Sequence, residues 1–221
     1  MDIIVFIAEI TGVVAFAVAG TLVGVKHELD IIGAIFAGCT TAVGGGVIRD
    51  VILGYIPPTI FRRPVYAAVA AATSLLVALA EYFISKKKMP EFGTYDRAVN
   101  VFDAAGLAVF IVAGIKLTAK QGYGDNAFLS IFVACVGALG GGVVRDLLVD
   151  TVPMILRKQV YATPVIVGGI IYYYVSALGV KDYILIPALT VAMVAVRVLA
   201  AEFRWNLPRF RNNRKNGKDI P

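Results

Sequence analysis

The sequence predicts an all-α integral membrane protein with seven transmembrane helices: two inverted three-helix repeats plus a seventh helix. Three observations lead there. Of 221 residues, 59% are hydrophobic with glycine left out, and the mean hydropathy is +0.80. A soluble core of this size cannot hide that much apolar surface. Seven apolar windows approach the roughly 20 residues that a bilayer crossing needs. Finally, Gly44-Gly45-Gly46-Val47-Ile48-Arg49-Asp50 returns 96 residues later as Gly140-Gly141-Gly142-Val143-Val144-Arg145-Asp146.

The windows run in order over 3–25, 31–54, 64–85, 98–117, 127–149, 160–179 and 183–203. Turn and charge signals separate them. Lys26 to Asp30 parts the first two, and Pro57-Pro58 the second and third. Lys86-Lys87-Lys88-Met89-Pro90 closes the first half. Gln121 to Asp125, Pro153 and Lys181-Asp182 punctuate the second half.

The duplication extends beyond the seven-residue phrase. Glu9-x-x-Gly12 matches Asp103-x-x-Gly106, and Phe16-x-x-Ala19-Gly20 matches Phe110-x-x-Ala113-Gly114. Tyr66-Ala67 matches Tyr161-Ala162. Residues 1–85 and 98–179 therefore read as two copies of a three-helix unit. Three is odd, so the second copy enters the bilayer upside down. Span 183–203 is left without a partner, and 204–221 forms a basic cytoplasmic tail.

Positive charge sets the orientation. With the N-terminus outside, the inner segments hold Lys26, Lys86, Lys87, Lys88, Arg97, Arg157, Lys158, Arg204, Arg209, Arg211, Arg214, Lys215 and Lys218. The outer segments hold Arg62, Arg63, Lys116, Lys120 and Lys181. Thirteen against five predicts an outside N-terminus and a cytoplasmic C-terminus in a multi-pass cell-membrane protein. The basic tail accounts for the net charge of +6. It reads as a topology determinant with attraction for anionic lipid. No folded basic module for nucleic acid is visible.

Enzymatic chemistry finds no foothold. Cys39 and Cys135 lie in apolar surroundings as small packing residues, and the one histidine, His27, falls in a charged turn. No cluster has metal-ligand spacing, and no nucleophile–base constellation appears. No catalytic residue, metal or cofactor is expected.

The function-bearing candidates are the doubled triplets and the charges around them. Gly44, Gly45, Gly46, Gly140, Gly141 and Gly142 begin only about 3 Å past the middle of their spans. Glycine there permits a bend or a close backbone approach. Gly20-x-x-x-Gly24 reads as a tight helix crossing. Arg49 and Arg145 sit about 10 Å past the midplane and need partners. Neighbours in a helix are about 100° apart, so Arg49–Asp50 and Arg145–Asp146 are not expected to pair well. Glu9 is expected to pair with Arg49, and Asp103 with Arg145, closing the two ends of a polar path. Snorkelling suffices for Arg197. Trp205 and Tyr172-Tyr173-Tyr174 read as interfacial belt residues.

With its two Gly-Gly-Gly-x-x-Arg-Asp phrases and three-plus-three-plus-one spans, the sequence resembles the trimeric intracellular cation (TRIC) channel family, in particular its prokaryotic branch. The resemblance covers residues 3–203. It implies a homotrimer whose subunits each carry a pore between kinked second and fifth spans, permeable to K+ and Na+. It carries the motif role onto Gly44 to Gly46, Arg49 and Asp50, and onto Gly140 to Gly142, Arg145 and Asp146. The animal relatives carry a lysine in the second motif, linked to phosphoinositide binding, where this chain has only glycine. A secondary transporter of a small solute such as an amino acid stays open as the alternative, since inverted repeats with interrupted helices also build transporters.

Overall fold

The computed structural model describes residues 3–85, 92–157, 161–203 and 205. Among these every regular element is a helix. In chain order they are α1 (Ile3–Lys26), α2 (Ile31–Ile52), α3 (Thr59–Arg62), α4 (Val65–Ser85), α5 (Phe92–Thr118), α6 (Ala127–Leu148), α7 (Met154–Arg157), α8 (Ala162–Ala177) and α9 (Asp182–Glu202). A π-helical turn, Ala119–Tyr123, extends α5 and carries Gly122 at φ 86°. Six of the helices are long and apolar enough to cross a membrane. The chain is a multi-pass membrane protein. Most of the basic tail lies outside the described residues.

Two expected spans differ from their windows. The fourth begins earlier, at Phe92, because the polar residues Tyr95 to Arg97 continue the helix instead of ending it. The sixth shrinks to 16 residues, Ala162–Ala177. At 1.5 Å per residue it is about 24 Å long, short of the ~30 Å hydrocarbon core. Gly179, at φ 85°, follows its end.

Local chemistry starts the two motif-bearing helices in the same way. Asp30 accepts from the Gly33 amide at 2.6 Å, and Asn126 accepts from the Leu129 amide at 2.9 Å. Each is an N-cap that satisfies an otherwise orphaned donor. The halves also share an order: long helix, long helix, four-residue helix, then a further apolar helix. Within each half the first long helix packs against the second and against the last, as α1 does on α2 and α4, and α5 on α6 and α8. Helix α9 lies against α5 and α8.

Helices α1 and α5 form the centre. Phe16 and Phe110 meet there with ring centroids 5.0 Å apart. Small residues let the neighbours close in. A Cβ on Gly20 would sit 2.8 Å from the Ala37 carbonyl oxygen, and one on Gly114 would sit 2.5 Å from the Ala134 Cα. The expected crossing at Gly20-x-x-x-Gly24 is therefore present, and Gly114 is its equivalent. The outward faces carry exposed Ile, Leu, Val and Phe, as a lipid-facing surface requires.

Candidate functional site

The glycine triplets do not break their helices. Helix α2 runs from Ile31 to Ile52 and α6 from Ala127 to Leu148 with helical backbone throughout. At the middle of each triplet glycine serves close approach. A Cβ on Gly45 would lie 2.0 Å from the Gly137 carbonyl oxygen, and one on Gly141 would lie 2.2 Å from the Thr41 carbonyl oxygen. No side chain fits at either middle position, so α2 and α6 touch backbone to backbone. At this point the two backbones leave no gap between them.

The last member of each triplet does something else. A Cβ on Gly46 would meet only Phe110 at 3.8 Å and the Arg49 guanidinium at 4.0 Å. One on Gly142 would meet the Tyr161 hydroxyl at 3.2 Å and the Arg145 guanidinium at 3.7 Å. The last glycine of each triplet thus faces the arginine one turn further on.

Both Arg–Asp neighbours pair, against expectation. Arg49 Nε donates to Asp50 Oδ1 at 2.9 Å, with Nη2 2.8 Å from the same oxygen. Arg145 Nε donates to Asp146 Oδ1 at 2.9 Å, with Nη2 at 2.7 Å. That second approach is ionic contact rather than a well-aligned hydrogen bond. The 100° argument fails because the arginine stem is long enough to fold back over its neighbour.

The second carboxylate oxygen explains why aspartate follows arginine. Asp50 Oδ2 accepts from the Thr59 amide at 2.6 Å, and Asp146 Oδ2 accepts from the Met154 amide at 2.7 Å. Thr59 begins α3 and Met154 begins α7. Each aspartate binds its arginine on one side and caps the following short helix on the other.

Beyond that shared plan the halves part. Glu9 does not pair with Arg49. It accepts a short hydrogen bond from the Tyr66 hydroxyl. Glu9, Arg49, Asp50 and Tyr66 instead line one cavity of about 40 Å³ that reaches Ala42 in the middle of α2. A water needs only ~10–15 Å³ on this measure, so there is room for water beside these four polar side chains. A wider vestibule of about 240 Å³ adjoins it, lined by Arg63, Lys116 and Lys120 besides Glu9, Arg49 and Tyr66. Its cations are partly matched from behind: Lys116 pairs with Asp182 at 2.7 Å, as Arg49 does with Asp50.

In the second half the equivalent space is filled. Asp103 and Arg145 are fully buried and lie 3.6 Å apart, which is the expected ion pair. Arg197 then enters from α9, only 4% exposed. Its Nη2 is 3.4 Å from Asp103 Oδ2, and its guanidinium carbon lies 4.3 Å above the Tyr161 ring. Arg197 does not snorkel. It is buried because an acid and an aromatic face are within reach. Tyr172 also leaves the expected belt: it is buried and donates to Asp182 at 2.8 Å. Tyr173 donates to the Gly124 carbonyl at 2.7 Å, and only Tyr174 is exposed.

Sequence reasoning missed Tyr66, Tyr161 and Arg197 as parts of the clusters. For the tyrosines a signal existed, because Tyr66-Ala67 and Tyr161-Ala162 recur at matching places. Arg197 has no repeat counterpart, so nothing in the duplication points to it.

Comparison with known proteins agrees with this architecture. The family model described as Glycine transporter matches residues 6–82 and 100–177. The UPF0126 membrane protein of Deinococcus radiodurans is 36% identical over 163 residues, 73% of this chain and 71% of the relative. The UPF0126 inner membrane protein YadS of Escherichia coli K12 is 31% identical over 207 residues, 92% of this chain and 94% of the relative. Among solved structures, a prokaryotic TRIC channel in 0.5 M KCl superposes with a TM-score of 0.80 at 30% identity, covering 94% of this chain and all of that one. The TRIC orthologue from Rhodobacter sphaeroides gives 0.78 at 28% identity, covering 91% and 98%. The chain belongs to the Glycine transporter (UPF0126) family of membrane proteins, and structurally it is a member of the TRIC channel group.

Proposed function

We propose that the protein is a passive cation channel, permeable to K+ and Na+, with a conduction path inside each subunit of a homotrimer. The observation that carries this reading is the cavity within one subunit, which opens beside Glu9, Arg49 and Asp50 and reaches the middle of α2 at Ala42 and Gly46. The likeness to TRIC cation channels over nearly the whole chain supports it. The path runs beside the α2–α6 crossing, past the face that Gly46 leaves clear and on toward the Tyr161 and Arg145 side chains that Gly142 faces. Glu9, Arg49 and Asp50 guard one mouth, and Asp103, Arg145 and Asp146 guard the other.

Seven spans, in two inverted units plus α9, fit the shared element order and the two matched segments 6–82 and 100–177. The excess of Lys and Arg on one side supports an outside N-terminus and a cytoplasmic C-terminus. In that frame the open Glu9 mouth faces out and the filled Asp103 mouth faces in. The tail, with Arg209, Arg211, Arg214, Lys215 and Lys218, would lie on anionic lipid.

The lining favours cations only at its deep end. Glu9, Arg49 and Asp50 sum to one net negative charge there, whereas the vestibule is richer in cations. The test is bilayer recording of the purified protein under a KCl gradient. Unitary steps that reverse near the K+ equilibrium potential are expected. A reversal at the chloride potential refutes the reading. A second reading is favoured by the family's description as glycine transporters: carriage of a small amino acid. Saturable glycine counterflow without unitary steps would establish that reading in its place.

A further inference from the structure

Arg197 comes from the one long helix that has no partner in the first half. Its surroundings have the chemistry of a cation site. Asp103 offers a carboxylate oxygen at 3.4 Å, Asn100 offers its amide oxygen at 3.4 Å, and Tyr161 offers a ring face at 4.3 Å. Carboxylate, amide oxygen and aromatic face each attract a positive charge.

The fit is loose. Contacts of 3.4 Å lie beyond the usual range for a hydrogen bond between charged groups. Among the described residues Arg197 Nε finds no acceptor, and Asp103 Oδ1 receives no hydrogen bond. A guanidinium placed to rivet a core would be bidentate and fully satisfied. In the first half Glu9 and Tyr66 occupy the positions of Asp103 and Tyr161. There no ninth-helix equivalent covers them, and they line open space.

We propose that Asp103, Asn100 and Tyr161 form a monovalent-cation site on the conduction path, and that Arg197 fills it in this conformation as a tethered blocking ion. This inference rests on the cation conduction proposed above. Withdrawing the Arg197 side chain would leave Asp103 and Asp146 sharing Arg145 as their one counter-charge. The group would then carry one net negative charge, which a permeating cation would neutralise.

The experiment uses the full-length protein with Arg197→Ala, and with Arg197→Ala combined with Asp103→Asn. Free guanidinium chloride is the probe, added to each side in turn. Bilayer K+ current and the thermal midpoint in detergent are both read. Arg197→Ala should carry severalfold more current than the unmodified chain. Guanidinium should return that current toward the original level and raise the midpoint of this variant, and should do neither in the double variant. If Arg197→Ala does not fold, Arg197→Gln keeps the stem and takes the same readouts.

Unchanged current in the Arg197 variants of a conducting protein overturns the inference. So does guanidinium that neither blocks nor stabilises. If no form conducts, yet guanidinium still raises the midpoint of Arg197→Ala and not of the double variant, conduction is refuted and the cation site is upheld.

Discussion

The Glu9 cluster and the Asp103 cluster use the same parts. Each has an acid on the first helix of its half, a tyrosine at the start of the last, and an Arg–Asp pair one turn beyond a glycine triplet. In both, the aspartate holds its arginine and caps a short helix. The space around them differs. Around Glu9 there is room for water, whereas around Asp103 the space is taken by Arg197. Two matching sets of residues thus reach opposite states because α9 brings Arg197 to only one of them.

The sharpest way to break that comparison is to neutralise each acid. Asp103→Asn leaves Arg197 beside a neutral amide and weakens the support of Arg145. Losing one partner of a buried ion pair costs about 3–5 kcal/mol, so unfolding in detergent should shift strongly. Glu9→Gln keeps an acceptor for Tyr66 beside a wet cavity and should cost under about 1 kcal/mol. Equal costs would mean that the two clusters are equally dry.

A second contrast lies within each triplet. Gly45→Ala and Gly141→Ala drive a methyl into a carbonyl oxygen and should each cost about 1–3 kcal/mol or more. Size-exclusion profiles and thermal midpoints report this directly. Tyr66→Phe removes the hydroxyl from Glu9 and should cost about 0.5–1.5 kcal/mol, read as a modest fall in midpoint. The smallest effect, of opposite sign, is expected at Gly46→Ala. That methyl has room at 3.8 Å. Alanine's helix propensity should add up to about 1 kcal/mol of stability. A hinge would instead make all three glycines of a triplet equally sensitive, so loss of stability in Gly46→Ala would restore the hinge.

The helices were legible because lipid demands long apolar runs, and the Lys26 to Asp30 and Pro57-Pro58 breaks are written in residue type. The clusters were legible as far as the duplication reached: Glu9, Asp103, Arg49 and Arg145 all lie at the two sites. Partner choice was not. Side-chain length let Arg49 fold back onto Asp50, which residue spacing on a helix does not register. The triplets had two physical uses, bending and crossing, with one composition. Only the position of Gly137 and Thr41 against Gly45 and Gly141 separates them. Arg197 was misread because depth along one helix says nothing about what the neighbouring helix holds.

The meeting of Gly45 with the Gly137 carbonyl, and of Gly141 with the Thr41 carbonyl, constrains which substitutions the two helices can accept. Nothing smaller than glycine exists, so a larger residue on one side cannot be accommodated by a smaller one opposite. Drift is barred at the hub and tolerated at the rim. The difference between the two clusters accordingly lies away from this contact, on Arg197 of α9.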